Sequence, residues 1–203
     1  MKPTSARLRK AGEAVVIGAS AGGIEALSRV LAALPRRFAP AVLVVLHLRP
    51  DVPSLLAGLF AERCQLPVSE ALDKAPLHGG HVYIAPPGYH LLVEAGPALA
   101  LSVDPPVKFS RPSIDVLFES AAWVFRQRLL GILLTGASDD GAQGLATIRA
   151  EGGRTWVQDP VSAAHPAMPL AAIERHAPDE VLSLDTLAER LGELDLAGRG
   201  GKD

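Results

Sequence analysis

From residue 14 onward, short apolar runs rich in β-branched residues alternate with stretches of helical period. Residues 14–17 predict a first strand and residues 18–23 (GASAGG) a turn. Residues 24–34 follow as a helix that gathers Ile24, Leu27, Val30, Leu31 and Leu34 on one face, and Pro35 closes it. Residues 41–46 are apolar throughout, as expected of a strand covered on both faces, and a helix over 54–63 is expected to start at Ser54. In the middle, residues 81–85, 90–94 and 99–103 are short strand candidates separated by PPG and AGP turns, which predicts an antiparallel excursion. The βα rhythm then returns. Ser113 is placed to cap a helix running to about residue 125, followed by a strand over 129–135 and a helix over 140–149. Further strands are expected at 155–158 and 181–184, with helices at 170–176 and 186–191. The pattern predicts an α/β fold: a doubly wound, mostly parallel sheet with crossover helices on both faces and an antiparallel hairpin excursion in the middle.

Composition narrows the function classes. A hydrophobic share of 48% and 20 basic against 22 acidic residues exclude a disordered chain. A net charge of -2 without a basic stripe argues against nucleic-acid binding. The lone Cys64 offers neither an internal disulfide nor a zinc spacing, and His78 and His81 lack matching ligands, so no metal is expected. No run approaches the ~18 apolar residues of a membrane span, so direct membrane insertion is not expected and a cytoplasmic location is. With no repeat or low-complexity linker, residues 1–203 are expected to form one domain, its core over about 15–191, with flexible tails at 1–13 and 197–203.

Candidate chemistry lies at the strand ends. Ser20 follows the first strand, His47 ends the second, and Asp139 and Asp140 follow the strand after the excursion. In an open parallel sheet the carboxyl ends of the strands share one crevice, so these groups are expected to converge. A hydroxyl, an imidazole and a carboxylate are the parts of a serine-hydrolase triad, and GASAGG contains G-x-S-x-G in a strand–turn–helix context. Backbone N–H groups after Ser20, with Gly22 and Gly23 allowing close approach, are placed to receive a developing oxyanion.

Each residue also has a plainer use. Ser20 can be a helix cap, His47 a strand-terminal histidine, and Asp140 a cap for the helix opening at Gly141. A dinucleotide-binding module competes for the same loop, since Gly18–Gly23 is one residue from G-x-G-x-x-G. That alternative wants an acidic residue at the end of the second strand, where this chain has His47.

Five motifs in order, VVIGASAGGIEAL, VVLHLRPD, VYIAPPGYHLLV, SRPSIDVLFESAA and GILLTGASDDGAQGL, resemble the catalytic domain of the chemotaxis protein-glutamate methylesterases, the CheB family. The resemblance runs from about Val15 to Leu191. It implies a cytoplasmic, cofactor-free hydrolase that removes methyl groups from glutamate γ-methyl esters on chemoreceptor helices, with receptor-glutamine deamidation in some members. It maps the nucleophile to Ser20, the base to His47 and the orienting carboxylate to Asp140, leaving Asp139 where relatives often have Asn.

By the same resemblance, backbone N–H groups of Ala21, Gly22 and Ala137 are the oxyanion donors, although Ala21 replaces a common Thr and Ala137–Ser138 a Met-Gly pair. Ser110 and Leu46 stand where relatives have His and Gln. Familiar members carry an N-terminal receiver domain. Only about 14 residues precede the first strand here, so the expectation is either a stand-alone esterase, constitutively active or regulated by a separate receiver-domain protein, or a piece of a longer product, with a non-catalytic adaptor of the same fold as an alternative.

Overall fold

The three central strands of the sheet are apolar at almost every position, because helices cover them on both faces. In the computed structural model, which describes residues 13–47 and 55–194, these strands are β1 (Ala14–Ala19), β2 (Ala41–Leu46) and β7 (Leu129–Leu133), all fully buried. Alternate side chains go to opposite cores, as a pleated strand requires: Val15 and Ile17 to one, Ala14 and Val16 to the other.

With β3 (Val68–Glu70), β4 (Val82–Ile84), β8 (Arg154–Gln158) and β9 (Glu180–Leu182), they form a seven-stranded sheet in the order β3-β4-β2-β1-β7-β8-β9. Every pairing in it is parallel. One face carries α1 (Gly23–Ala32), α2 (Leu56–Ala61) and α6 (Leu184–Gly192). The other carries α3 (Ile114–Phe125), α4 (Ala142–Ala150) and α5 (Ala167–Arg175), together with a hairpin of β5 (His90–Glu94) and β6 (Ala98–Ser102). The α/β, doubly wound architecture is the one the periodicity predicts.

Several details differ. Residues 82–84 do not join the antiparallel excursion but lie in the main sheet between β2 and β3, so the hairpin of β5 and β6 stands as its own two-stranded sheet. The sequence reading passes over β3, a three-residue edge strand with sequence VSE and no apolar run. Helix α5 begins three residues before expectation. Pro169 falls in its first turn, where a missing N–H costs nothing. Most of the expected tails and the expected helix start at Ser54 lie outside the described residues.

The chain winds outward from β1 through β2 to the edge strand β3, steps back to β4 between them, then returns on the other side of β1 as β7. The winding direction therefore reverses between β1 and β7, and the loops at the carboxyl ends of these strands flank one crevice.

Candidate active site

The loop after β1 is shaped by its glycines. Ser20 N donates to Thr135 O at 3.0 Å, and Gly23 N closes the turn on Ser20 O at 2.8 Å. Gly22 has φ 75°, and a Cβ there would stand 2.9 Å from Ala164 Cβ, so only glycine fits. Gly22 occupies the N-cap of α1 without a side-chain cap bond, so the Ser20 hydroxyl is not a helix cap. It lies 3.1 Å from His47 Nδ1 instead.

His47 ends β2, its N–H bonded to Ala19 O, and its ring spans the space to the loop after β7. Its Nε2 lies 2.8 Å from Asp140 Oδ2. The side chain of Asp140 is fully buried, that of His47 13% exposed. Ser20, His47 and Asp140 thus form one continuous chain of contacts from three strand ends. Asp139 points elsewhere: its carboxylate is 56% exposed and pairs with Lys108 Nζ at 3.1 Å.

Asp140 does not cap the helix it precedes. Its Oδ2 also accepts from Ile114 N at 2.7 Å, and its Oδ1 from Asp115 N at 3.0 Å and Ser113 Oγ at 2.9 Å. These donors are the start of α3, so Asp140 caps that helix. Ser113 occupies the N-cap position but makes no cap bond itself, because an ionised carboxylate is the stronger acceptor for free helix N–H groups.

The relation is reciprocal. Asp115, in the first turn of α3, accepts from Gly141 N at 2.8 Å and Gly144 N at 2.7 Å through Oδ1, capping α4. Its Oδ2 pairs with Lys108 Nζ at 3.0 Å. Two helices are therefore cross-capped by each other's acid, which fixes the Asp140 carboxylate against His47.

Burial alone would raise the Asp140 pKa, but the His47 hydrogen bond and the α3 N–H groups outweigh it and hold the carboxyl below its ordinary value. Asp115 goes the other way. Burial first, then the Asp140 charge, pushes it up despite the Gly144 N–H and Lys108. Lys108 is raised because its bonds to Asp115 and Asp139 outweigh its partial burial. An ionised Asp140 must accept the Nε2 proton of a neutral His47, which leaves the Nδ1 lone pair facing the Ser20 hydroxyl. The arrangement can take a proton from Ser20 and stabilise the imidazolium that results.

A second brace holds the Ser20 loop. Buried Thr135 donates through Oγ1 to Ala21 O at 3.0 Å and accepts from His165 N at 2.8 Å, while its own N–H donates to Gln158 Oε1 at 2.9 Å. Above Ser20 and His47 opens a cleft of about 380 Å³, bordered by Gly22, Ile24, Glu25 and Leu46. The N–H groups of Ala21, Gly22 and Ala137 have no acceptor among the described residues. Among those residues there is also no His, Cys, Asp and Glu cluster suited to a metal, and no helix long and apolar enough to cross a membrane. His81, one of the pair considered as ligands, bonds Ser69 Oγ at 2.9 Å and stacks on Tyr83.

Sequence reasoning missed Asp115, Lys108, Thr135 and Gln158. Only Asp115 had a readable signal, an acid in a predicted first turn, and its partner lies 26 residues away.

A Leptospira interrogans protein provisionally named protein-glutamate methylesterase/protein-glutamine glutaminase is 44% identical over 183 residues, 90% of this chain and 95% of that one. A protein-glutamate methylesterase/protein-glutamine glutaminase of Anaeromyxobacter dehalogenans is 45% identical over 182 residues, 90% of this chain and 53% of that one. The crystal structure of the Thermotoga maritima CheB methylesterase catalytic domain superposes with a TM-score of 0.87 at 32% identity, over 91% of this chain and 99% of that one. Residues 15–191 match the family described as CheB methylesterase, and the chain belongs to that family.

Proposed function

We propose that this protein is a protein-glutamate methylesterase acting on γ-methyl esters of glutamate in the cytoplasmic helices of chemoreceptors, with glutamine deamidation as a second reaction. The observation that carries the reading is the contact chain Ser20–His47–Asp140, at 3.1 and 2.8 Å, at the reversal point of the sheet.

The Ser20 oxygen attacks the ester carbonyl as its proton passes to His47 Nδ1. The oxyanion forms against the N–H groups of Ala21, Gly22 and Ala137, which have no other acceptor among the described residues. His47 returns the proton to the departing methoxide, methanol leaves, and the glutamyl group remains on Ser20 as an acyl ester. Water, deprotonated by the same Nδ1, hydrolyses that ester to glutamate and frees Ser20. A glutamine side chain enters the same acyl intermediate with ammonia leaving. Asp140 stays ionised throughout, holding the ring and the imidazolium charge.

The site supports this chemistry better than a dinucleotide. Exposed Glu25 stands in the first turn of α1, where a pyrophosphate would lie, and opposes that charge. The test is methanol release from a methylated chemoreceptor fragment by this chain and by Ser20→Ala. Release by the wild type alone is expected; equal release by both would refute the assignment.

A further inference from the structure

Beside the triad stands a turn that the catalytic chemistry leaves unused. Val107 and Ser110 exchange backbone hydrogen bonds at 3.1 and 2.8 Å, and between them Lys108 and Phe109 both take left-handed backbone, φ 47° and 64°. Such two-residue turns ordinarily take Asn-Gly, because a Cβ is unfavourable there. Lys108 has a visible use, since its ammonium bonds Asp139 O at 2.9 Å and the carboxylates of Asp139 and Asp115. Phe109 has none among the described residues, its relative exposure being 103%.

We propose that Phe109 is an anchor for the protein substrate, packing against the apolar side of the receptor helix segment that flanks the esterified glutamate. The inference rests on the methylesterase reading above. Two observations choose this occupant. The turn is bolted through Lys108 to Asp139 and Asp115, the chain neighbour and the cross-capping partner of Asp140, so its tip stands on the segment that carries the triad carboxylate. The cleft at Ser20, about 380 Å³, has room for an esterified side chain, and half-exposed Ile24 at its border offers an apolar contact on the β1 side. A helix held between Ile24 and Phe109 presents its glutamyl ester to Ser20. The Lys108 ion pairs hold the turn's backbone in place in advance, so the ordering left on binding is that of the Phe109 ring itself.

The test measures binding of a methylated chemoreceptor cytoplasmic fragment to the full chain carrying Ser20→Ala, which removes turnover. Adding Phe109→Gly should weaken the Kd about tenfold, whereas Phe109→Tyr should stay within about twofold. Glycine suits the φ of this position, so the Tm of Phe109→Gly should equal or exceed that of its parent, which separates lost docking from lost folding.

An unchanged Kd with Phe109→Gly overturns the inference, as does an absence of any binding by the Ser20→Ala protein. So does a concentration-dependent dimer that Phe109→Gly dissolves, which would assign the tip to self-association. Binding that depends on Phe109 in a protein whose wild type releases no methanol supports the inference while refuting the hydrolytic reading.

Discussion

Asp115→Ala isolates the cross-capping of α3 and α4. In the wild type, Asp115 is 5% exposed, its Oδ1 takes two backbone N–H bonds of 2.8 and 2.7 Å, and its Oδ2 holds Lys108. Hydrogen bonds to a charged acceptor contribute about 1.5–3 kcal/mol each, and a helix N-cap about 1. Part of this is offset in the folded protein, because burial and the Asp140 charge both disfavour ionised Asp115. The net loss expected is about 3 kcal/mol, which for a domain of this size lowers Tm by about 6–12 °C.

Catalysis should suffer as well. Gly141 N is one of the two bonds lost, and Gly141 directly follows Asp140, so the carboxylate loses registry with His47. A displacement of that kind costs kcat about 10–100-fold in methanol release. Differential scanning fluorimetry and single-substrate kinetics read both numbers. A Tm within about 2 °C of wild type with kcat unchanged would refute the claim that Asp115 positions Asp140.

Two further substitutions test other parts of the argument. The Asp140 pKa is lowered on folding, so its ionisation adds stability above the unfolded-state value of about 4, and that contribution is lost as pH falls through the folded value. The Tm gap between wild type and Asp140→Asn should accordingly narrow in thermal melts from pH 6 to pH 3, and a gap that widens would reverse the sign of the linkage. Thr135→Val keeps shape but strips acceptor and donor from His165 N and Ala21 O; a loss of about 2 kcal/mol and slower fluorophosphonate labelling of Ser20 are expected. Stability within about 0.5 kcal/mol of wild type would show that the brace is dispensable.

The sheet was legible where burial on both faces forces continuous apolar runs, as in β1, β2 and β7. It was illegible where partners decide. The sequence VYI of β4 reads the same in a hairpin as in a parallel sheet, and only its pairing to β2 and β3 distinguishes them. Edge strand β3 carries too little apolar character to register at all.

At the site, the positions of Ser20, His47 and an acidic pair at strand ends follow from local sequence, because a parallel sheet brings every carboxyl end to one edge. Sequence by itself therefore determined the buried central strands, the side of the sheet where chemistry gathers and, through a resemblance, the family expected. Tertiary structure alone decided that Asp140 meets His47 while Asp139 turns outward to Lys108, and that Asp140 caps α3 while Asp115 caps α4. Periodicity reports only which face of an element is buried. A carboxylate's choice among free helix N–H groups depends on which helix end lies nearest in space, and for α3 and α4 those ends are joined by no local pattern in the chain.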